Sequence, residues 1–410
     1  MYDTGDTAWM LLCTALVLLM SPGLAIFYAG MVRAKNSLAM LMYNMGALAV
    51  ISVTWVVIGF TLAFGPDTGS GVVGGLDFIG LKGINEPDAF ALTFPPAAFV
   101  MFQMMFAVIT GALITGAAAD RMKFSSLLVF LALWSVFVYP VIAHWAWQAE
   151  GWMFEWGVLD FAGGTVVEIC SGASALALAI VLGRRRGWPR EVMLPHNLPL
   201  TILGAGLLWF GWIGFNAGSA LAAGGDAASA ALATHLSGVG GMAGWLLLEK
   251  KLTGKPTALG AASGAVAGLV AITPAAGFLD PLPAILLGLI AGAVCLLAVR
   301  LKFKMKADDS LDVLAIHFFG GVVGMLFLGF FARALVSAGG EGLGLFSGAG
   351  LEQLGKQAVA VIVAAAFAFT VSWLLARLVR ATMGLRVSAE EESAGLDYAR
   401  HGESAYEIVN

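Results

Sequence analysis

The sequence predicts an all-α polytopic membrane protein, and three observations support that prediction. Of its 410 residues, 60% are hydrophobic and 12% are charged, whereas soluble domains carry about 25% charged residues. Eleven apolar stretches are long enough to cross a bilayer as helices. The cations between these stretches lie almost entirely on one side when alternate loops are assigned to that side. A single soluble core is therefore excluded.

The eleven predicted spans alternate with short polar loops. They cover residues 7–30, 37–64, 95–118, 124–147, 158–183, 198–222, 226–248, 258–277, 281–300, 311–336 and 355–380. Of the 22 Lys and Arg residues, 19 fall on one side of this arrangement, and the exceptions are Lys82, Arg333 and Lys356. Because cationic loops stay in the cytoplasm, we expect a multi-pass protein of the cell (inner or plasma) membrane, with the N-terminus outside and the C-terminus inside.

Two halves of the chain resemble each other. Leu159-Asp160 begins predicted span five and Leu311-Asp312 begins span ten, while Phe27-Tyr-Ala-Gly30 resembles Phe215-Asn-Ala-Gly218. Spans one to five and six to ten are therefore predicted to be two repeats, with span eleven outside them. Five spans is an odd number, so the repeats would be inverted, and inverted repeats place the substrate site at their interface.

Glu168 is the ionisable residue that most needs an explanation. Eight helical residues place it about 12 Å below Asp160, near the middle of a hydrocarbon layer about 30 Å thick. An unpaired charge there costs several kcal/mol, so a functional role is expected. His317 lies inside a comparable apolar run. Two titratable groups at one depth indicate a proton path.

Other features of the sequence predict no disulfide, metal site, cofactor, nucleic-acid surface or enzymatic activity. Cys13, Cys170 and Cys295 lie within apolar spans and are expected to be buried thiols, without a disulfide or a metal site. No cofactor is predicted, and the net charge of −4 indicates no nucleic-acid surface. An enzyme is disfavoured because no nucleophile and base are accompanied by a third orienting group. Residues 1–383 are predicted to be the membrane domain and residues 384–410 a polar cytoplasmic tail.

Several segments together resemble the ammonium transporter family (Amt/Mep/Rh) over essentially the whole chain. They are Phe27-Tyr-Ala-Gly-Met-Val-Arg-Ala-Lys-Asn36, Phe102-Gln-Met-Met-Phe106, Asp160-Phe-Ala-Gly-Gly-Thr165, Gly211-Trp-Ile-Gly-Phe-Asn-Ala-Gly-Ser219, Thr273-Pro-Ala-Ala-Gly277, and Asp308-Asp-Ser-Leu-Asp312 with His317. The resemblance implies a homotrimer with one pore per subunit. Its substrate would be ammonium, with methylammonium as a further candidate.

The resemblance also implies roles for individual residues. Trp147, Ser219 and Phe106 would form an outer recruitment site, which agrees with the attraction of a cation to an aromatic face and with the acceptor capacity of a hydroxyl. Phe106 and Phe215 would stack as a gate beneath that site. Asp160 would order the nearby loop backbone without touching substrate. For Trp147 taken alone, an interfacial or core aromatic is the simpler interpretation.

The pore departs from the family's usual pattern of two histidines. His317 matches the second, whereas Glu168 occupies the first position, as in a fungal subset of the family. The function implied is electrogenic ammonium uptake, in which ammonium is deprotonated, ammonia passes an apolar pore and the proton travels through Glu168 and His317. The alternatives are an electroneutral ammonia or carbon dioxide channel and an ammonium sensor. The tail resembles the family's regulatory segment, which implies docking of a P-II signalling protein.

Overall fold

A computed structural model describes residues 2–86 and 89–406. Its sixteen α-helices are α1 Thr4–Met31, α2 Ser37–Thr54, α3 Phe60–Phe64, α4 Pro96–Ala118, α5 Phe124–Phe137, α6 Tyr139–Trp147, α7 Trp152–Glu155, α8 Cys170–Leu182, α9 Leu198–Gly218, α10 Gly225–Thr253, α11 Ala258–Ile272, α12 Pro281–Ala298, α13 Leu301–Met305, α14 Phe319–Phe331, α15 Glu352–Thr382 and α16 Ala389–Ala394. Four π-helical segments are Trp55–Gly59, Gly164–Ile169, Leu314–Phe318 and Asp397–His401. Short 3-10 turns are Ala34–Asn36, Ile79–Leu81, Val336–Ala338 and Leu345–Ser347. Among the described residues there are isolated bridges but no strand, so the all-α prediction is confirmed.

In the described part of the chain, ten helical stretches are long and apolar enough to cross a membrane, and each coincides with a predicted span. The remaining span, predicted at 258–277, is α11, which has only 15 residues. At about 1.5 Å per residue it is roughly 22 Å long, shorter than the hydrocarbon layer. It ends where Thr273 and Pro274 begin a series of turns. The count of eleven and the orientation of the termini stay predictions.

Local sequence explains where several of these helices begin. The Asp3 side chain accepts the backbone N–H of Asp6 at the start of α1 at 2.8 Å. Asn197 caps α9 by accepting the Leu200 N–H at 3.0 Å. Proline stands within the first turn of α4, α9 and α12. Backbone N–H groups in a first turn have no partner within the helix, so the missing N–H of proline costs no hydrogen bond there.

The two halves meet at the middle of the molecule. The segment Gly164–Ile169 with α8 crosses Leu314–Phe318 with α14, and the crossing needs two glycines. A β-carbon on Gly172 would lie 2.6 Å from the Cβ of Phe318, and one on Gly321 would lie 2.8 Å from the Cβ of Glu168. Gly172 follows Glu168 by four residues and Gly321 follows His317 by four, so the crossing has the same register in both halves.

The C-terminal tail packs against the helical domain. The Asp397 carboxylate accepts the Ala39 N–H at 2.8 Å at the beginning of α2, and Asn36 Oδ1 accepts the Leu396 N–H at 2.8 Å. These contacts lie at the Met31 end of α1, which we call the tail side. The opposite end, near Thr4, is called the vestibule side. A regulatory role for residues 384–410 stays a prediction, and residues 407–410 lie outside the described part of the chain.

Candidate functional site

A cavity of about 380 Å³ opens on the vestibule side. Its walls are Phe64, Phe99, Gln103, Phe106, Ala146, Trp147, Phe154, Gly157, Val158, Leu159, Asp160, Phe161, Ser219, Ala220, Leu221, Asp226, Phe278 and Leu335. The helical spacing of Phe99, Gln103 and Phe106 places them on one face of α4. The three residues predicted as a recruitment site, Trp147, Ser219 and Phe106, therefore line one cavity, which we call the vestibule.

Aromatic rings form the floor of the vestibule. The rings of Phe106 and Phe215 stack with centroids 4.0 Å apart, and both side chains are buried. Trp147 meets Phe106 edge to face at 5.7 Å. Ser219 donates its hydroxyl hydrogen to the Phe215 carbonyl at 2.9 Å, which leaves its oxygen lone pairs available to another donor.

A second cavity lies below the stacked rings and measures only about 10 Å³, near the space that one water molecule needs. Its lining is Met20, Leu24, Phe27, Ile109, Leu113, Val167, Glu168, Leu208, Trp212, Phe215, Val266 and His317. Phe106 borders the vestibule and Phe215 borders this lower cavity, so the stacked pair separates the two. The lower cavity is apolar except for Glu168 and His317.

Glu168 and His317 are brought together across the interface between the two halves. Glu168 Oε2 lies 2.7 Å from His317 Nδ1, and the two residues are 0% and 4% exposed. Glu168 stands on Gly164–Ile169 and His317 on Leu314–Phe318. The hydrogen bond requires one proton between the two atoms, carried by either the imidazole or the carboxyl group. Glu168 Oε1 has no protein partner, so this oxygen is free to exchange a proton or accept one from a ligand.

Asp160 holds the beginning of the segment that carries Glu168. Its carboxylate accepts backbone N–H groups from Gly163 at 2.9 Å, Gly164 at 2.5 Å and Thr165 at 2.8 Å, together with the Thr165 hydroxyl. A carboxylate at this place satisfies the donors that a helix start leaves unpaired. The Asp160 carbonyl oxygen accepts the Trp147 indole N–H at 3.0 Å. Asp160 therefore connects the vestibule to the pore segment.

Asp309 is the structural counterpart of Asp160 in the second half. It precedes His317 by eight residues, as Asp160 precedes Glu168, and its Oδ2 accepts the N–H of Leu314 at 2.7 Å, five residues on. The Leu-Asp pattern in the sequence matched Asp160 with Asp312, which is three residues away from the structural counterpart, Asp309. Asp312 instead pairs with Lys302 at 2.5 Å. Burial and the nearby Asp312 charge raise the pKa of Asp309 to about 6, and its Oδ1 has no protein partner.

One polar residue near the site was missed by the sequence analysis. Gln357 is completely buried and hydrogen-bonds both backbone groups of Leu159, yet it lies in span eleven, outside the predicted repeats. The available signal was a glutamine inside the predicted membrane span 355–380 of this 31-residue helix. Within the described chain, no group of three or more His, Cys, Asp or Glu residues is arranged to hold a metal ion.

The fold and the site define a class of protein: a polytopic helical membrane transporter with an aromatic vestibule above a narrow apolar pore. The model of the Ammonium Transporter Family matches residues 8–406. The chain belongs to this family, and ammonium transport is the activity that this membership supports. It is a family of transporters, and the chain is not an enzyme.

Known relatives agree over nearly the full length. The chain is 48% identical to an ammonium transporter of Bacillus subtilis (strain 168), covering 98% of each protein. It is 46% identical to ammonium transporter Amt1 of Archaeoglobus fulgidus, covering 98% of this chain and 99% of that protein. Its structure resembles Saccharomyces cerevisiae Mep2, with a TM-score of 0.88 and 35% identity over 100% of this chain and 93% of Mep2.

Proposed function

We propose that this protein is an electrogenic ammonium uptake transporter of the cell (inner or plasma) membrane. It recruits ammonium in the vestibule, deprotonates it, passes neutral ammonia through the apolar pore and moves the proton by way of Glu168 and His317. The observation that supports this most strongly is the 2.7 Å contact between Glu168 Oε2 and His317 Nδ1 inside a small, mostly apolar cavity. The free Oε1 of Glu168 gives that pair a place to accept a further proton.

Recruitment rests on the aromatic and hydroxyl groups of the vestibule. A cation over the Trp147 ring gains about 0.5–2 kcal/mol, and the Ser219 oxygen can accept one N–H bond. Together these groups replace part of the hydration shell of ammonium. Asp160 and Asp226 are among the residues that line the cavity, and their negative charge favours a cation over an anion there.

The stacked rings of Phe106 and Phe215 determine what passes. A bare cation in an apolar passage pays a large desolvation penalty, whereas neutral ammonia crosses at low cost. Ammonium can become neutral by giving up a proton, and potassium cannot. Selectivity against potassium then follows from chemistry and does not depend on the size of the pore.

The proton would pass through the carboxylate and imidazole pair. When His317 Nε2 carries a proton, uptake of one proton at Glu168 Oε1 and release of the Nε2 proton moves one positive charge past the pair, while the proton between Oε2 and Nδ1 is retained. Rotation of the carboxyl group and of the imidazole then restores the starting arrangement, so the count of protons balances over each turnover. Ammonia and the proton cross separately, and net charge moves with each turnover.

Glu168→Gln tests the relay. Glutamine keeps the size of the side chain and can still hydrogen-bond His317, but it carries no exchangeable acid. In solid-supported membrane electrophysiology on purified protein, we expect a steep loss of ammonium-dependent current, or a leak in which potassium also carries current. Glu168→His should retain transport with a changed rate and pH dependence. Glu352→Gln, at an exposed carboxylate that pairs with Lys356, is the matched control.

Wild-type current with intact selectivity in Glu168→Gln would make Glu168 a structural hydrogen-bonding residue. The same recordings distinguish the alternatives for the unmodified protein. An electroneutral gas channel gives ammonia flux without ammonium-dependent current. A sensor gives neither flux nor current, and this outcome is included because the chain also resembles a structure named Sensor Amt Protein, at a TM-score of 0.88 and 30% identity over 97% of this chain and 98% of that one.

We further propose a homotrimer with one pore per subunit and docking of a P-II signalling protein at the tail side. The support is the sequence resemblance together with the tail folded against α2. The mass of the purified assembly tests the first proposal. Retention of a P-II protein on immobilised transporter, and its loss when residues 384–410 are removed, tests the second.

A further inference from the structure

A pair of hydrogen bonds that the proposed function does not use joins α15 to the wall of the vestibule. Gln357 Oε1 accepts the Leu159 N–H at 2.9 Å, and Gln357 Nε2 donates to the Leu159 carbonyl at 2.7 Å. The side chain is 0% exposed. One amide thus satisfies both polar groups of one backbone residue, in the manner of two paired strands. Because the two bonds act in opposite directions, they fix the position and the orientation of that residue.

The residue held in this way is the one before Asp160. The Asp160 carbonyl oxygen accepts the Trp147 indole N–H at 3.0 Å, and its carboxylate caps the segment that leads to Glu168. Leu159, Asp160 and Trp147 line the vestibule, whereas Gln357 does not. The contact therefore acts on the site through the backbone, without touching a ligand.

Neighbouring contacts support a dedicated arrangement. Gln353, one turn earlier on α15, donates its amide to Gln357 Oε1 at 3.0 Å and to the Gly157 carbonyl at 3.1 Å. Gln357 Oε1 consequently accepts two hydrogen bonds, which fixes the positions of the oxygen and the nitrogen in its amide group. A buried helix anchor elsewhere on α15 is Ser372, which lies 2.8 Å from Ser174 and far from the vestibule in sequence.

We propose that Gln357 is a positioning residue for ammonium recruitment, which sets the indole of Trp147 through the backbone of Leu159 and Asp160. This inference rests on the recruitment site proposed above. The eleventh predicted span lies outside the repeats, and through Gln357 it would help to position the residues of the vestibule.

The test compares Gln357→Leu, Trp147→Leu and the double variant in ammonium-dependent current against concentration. Gln357→Leu keeps the approximate volume and removes both hydrogen bonds. We expect it to raise the half-saturating ammonium concentration by roughly 2- to 30-fold, the range that a displaced cation–π contact allows, with a smaller change in maximal current. If Gln357 acts through Trp147, the double variant should match Trp147→Leu alone, because coupled residues are not additive.

Gln357→Glu keeps a readout if the leucine variant does not fold. A protonated glutamic acid reproduces both hydrogen bonds to Leu159, whereas a carboxylate accepts from the N–H but places an oxygen against the carbonyl. Its half-saturating concentration, as a ratio to wild type at the same pH, should therefore rise from pH 5 to pH 9. Ser372→Ala is the matched control on α15 and should leave half-saturation within about 2-fold of wild type.

An unchanged half-saturation in Gln357→Leu, or effects of Gln357→Leu and Trp147→Leu that simply multiply, would overturn the inference. A pH-independent ratio for Gln357→Glu would do the same. These failures differ from failure of the recruitment site itself, in which Trp147→Leu alone leaves the concentration dependence unchanged.

Discussion

Replacement of Trp147 by leucine is the most direct test of recruitment in the vestibule. The substitution removes the aromatic side chain that borders the cavity, the edge contact to Phe106 and the indole N–H bond to Asp160. A lost cation–π contact of about 0.5–2 kcal/mol corresponds to a roughly 2- to 30-fold higher half-saturating ammonium concentration. The maximal current should change less, because the stacked rings and the Glu168–His317 pair remain.

The assay is ammonium-dependent current in proteoliposomes over a wide concentration range, on protein with unchanged assembly. Trp147→Phe keeps an aromatic face but loses the N–H donor, so its half-saturation should lie between wild type and Trp147→Leu. Trp373→Leu, which removes a tryptophan that lines neither cavity, controls for loss of an indole. An unchanged concentration dependence in Trp147→Leu would refute the assignment of a cation–π site.

Two more outcomes are expected. Truncation after Met383 removes the contact of Asp397 with the start of α2 and should lower the transport rate without abolishing formation of the proposed trimer. A full transport rate, with a tail that proteases cut freely in the intact membrane, would indicate a mobile segment. Asp309→Asn should remove a pH-dependent loss of folding stability. Because the native pKa of about 6 lies above the ordinary 3.8, stability is fully present below pH 3.8 and falls by about 3 kcal/mol as pH rises through 6. The variant should therefore melt higher than the parent at pH 8 and not at pH 4, and an equal shift at both would contradict this origin.

Hydropathy predicted the membrane-crossing helices well because each apolar run must match the thickness of a bilayer. The exception is span eight, whose helix α11 stops at Ile272. Pro274 stands two residues further on, and the chain turns there. The carbonyl oxygens of Thr273 and Pro274 accept N–H bonds from Ala162 and Phe161, respectively. A hydropathy average over 258–277 cannot detect this, since the turn residues Ala275, Ala276 and Gly277 are themselves apolar or neutral.

The site was less predictable than the fold. Burial cost led to Glu168 and His317, and the structure places them in contact, but their role as a relay stays a prediction. The π-helical backbone beneath both residues left no signal in residue type. The match of Asp160 with Asp312 followed a shared Leu-Asp pair, whereas the hydrogen bond of Asp309 to Leu314 shows the register that folding imposes. Gln357 was missed because its partners are backbone groups 198 residues away.

The glycine crossing at the centre of the molecule limits how the two halves can change over evolutionary time. Gly172 belongs to the first half but is held small by Phe318 of the second, and Gly321 of the second is held small by Glu168 of the first. Each half therefore sets a steric limit on the other. A loop or a lipid-facing surface of one half can change without regard to the other half, whereas a larger residue at this crossing requires a compensating change in the opposite half.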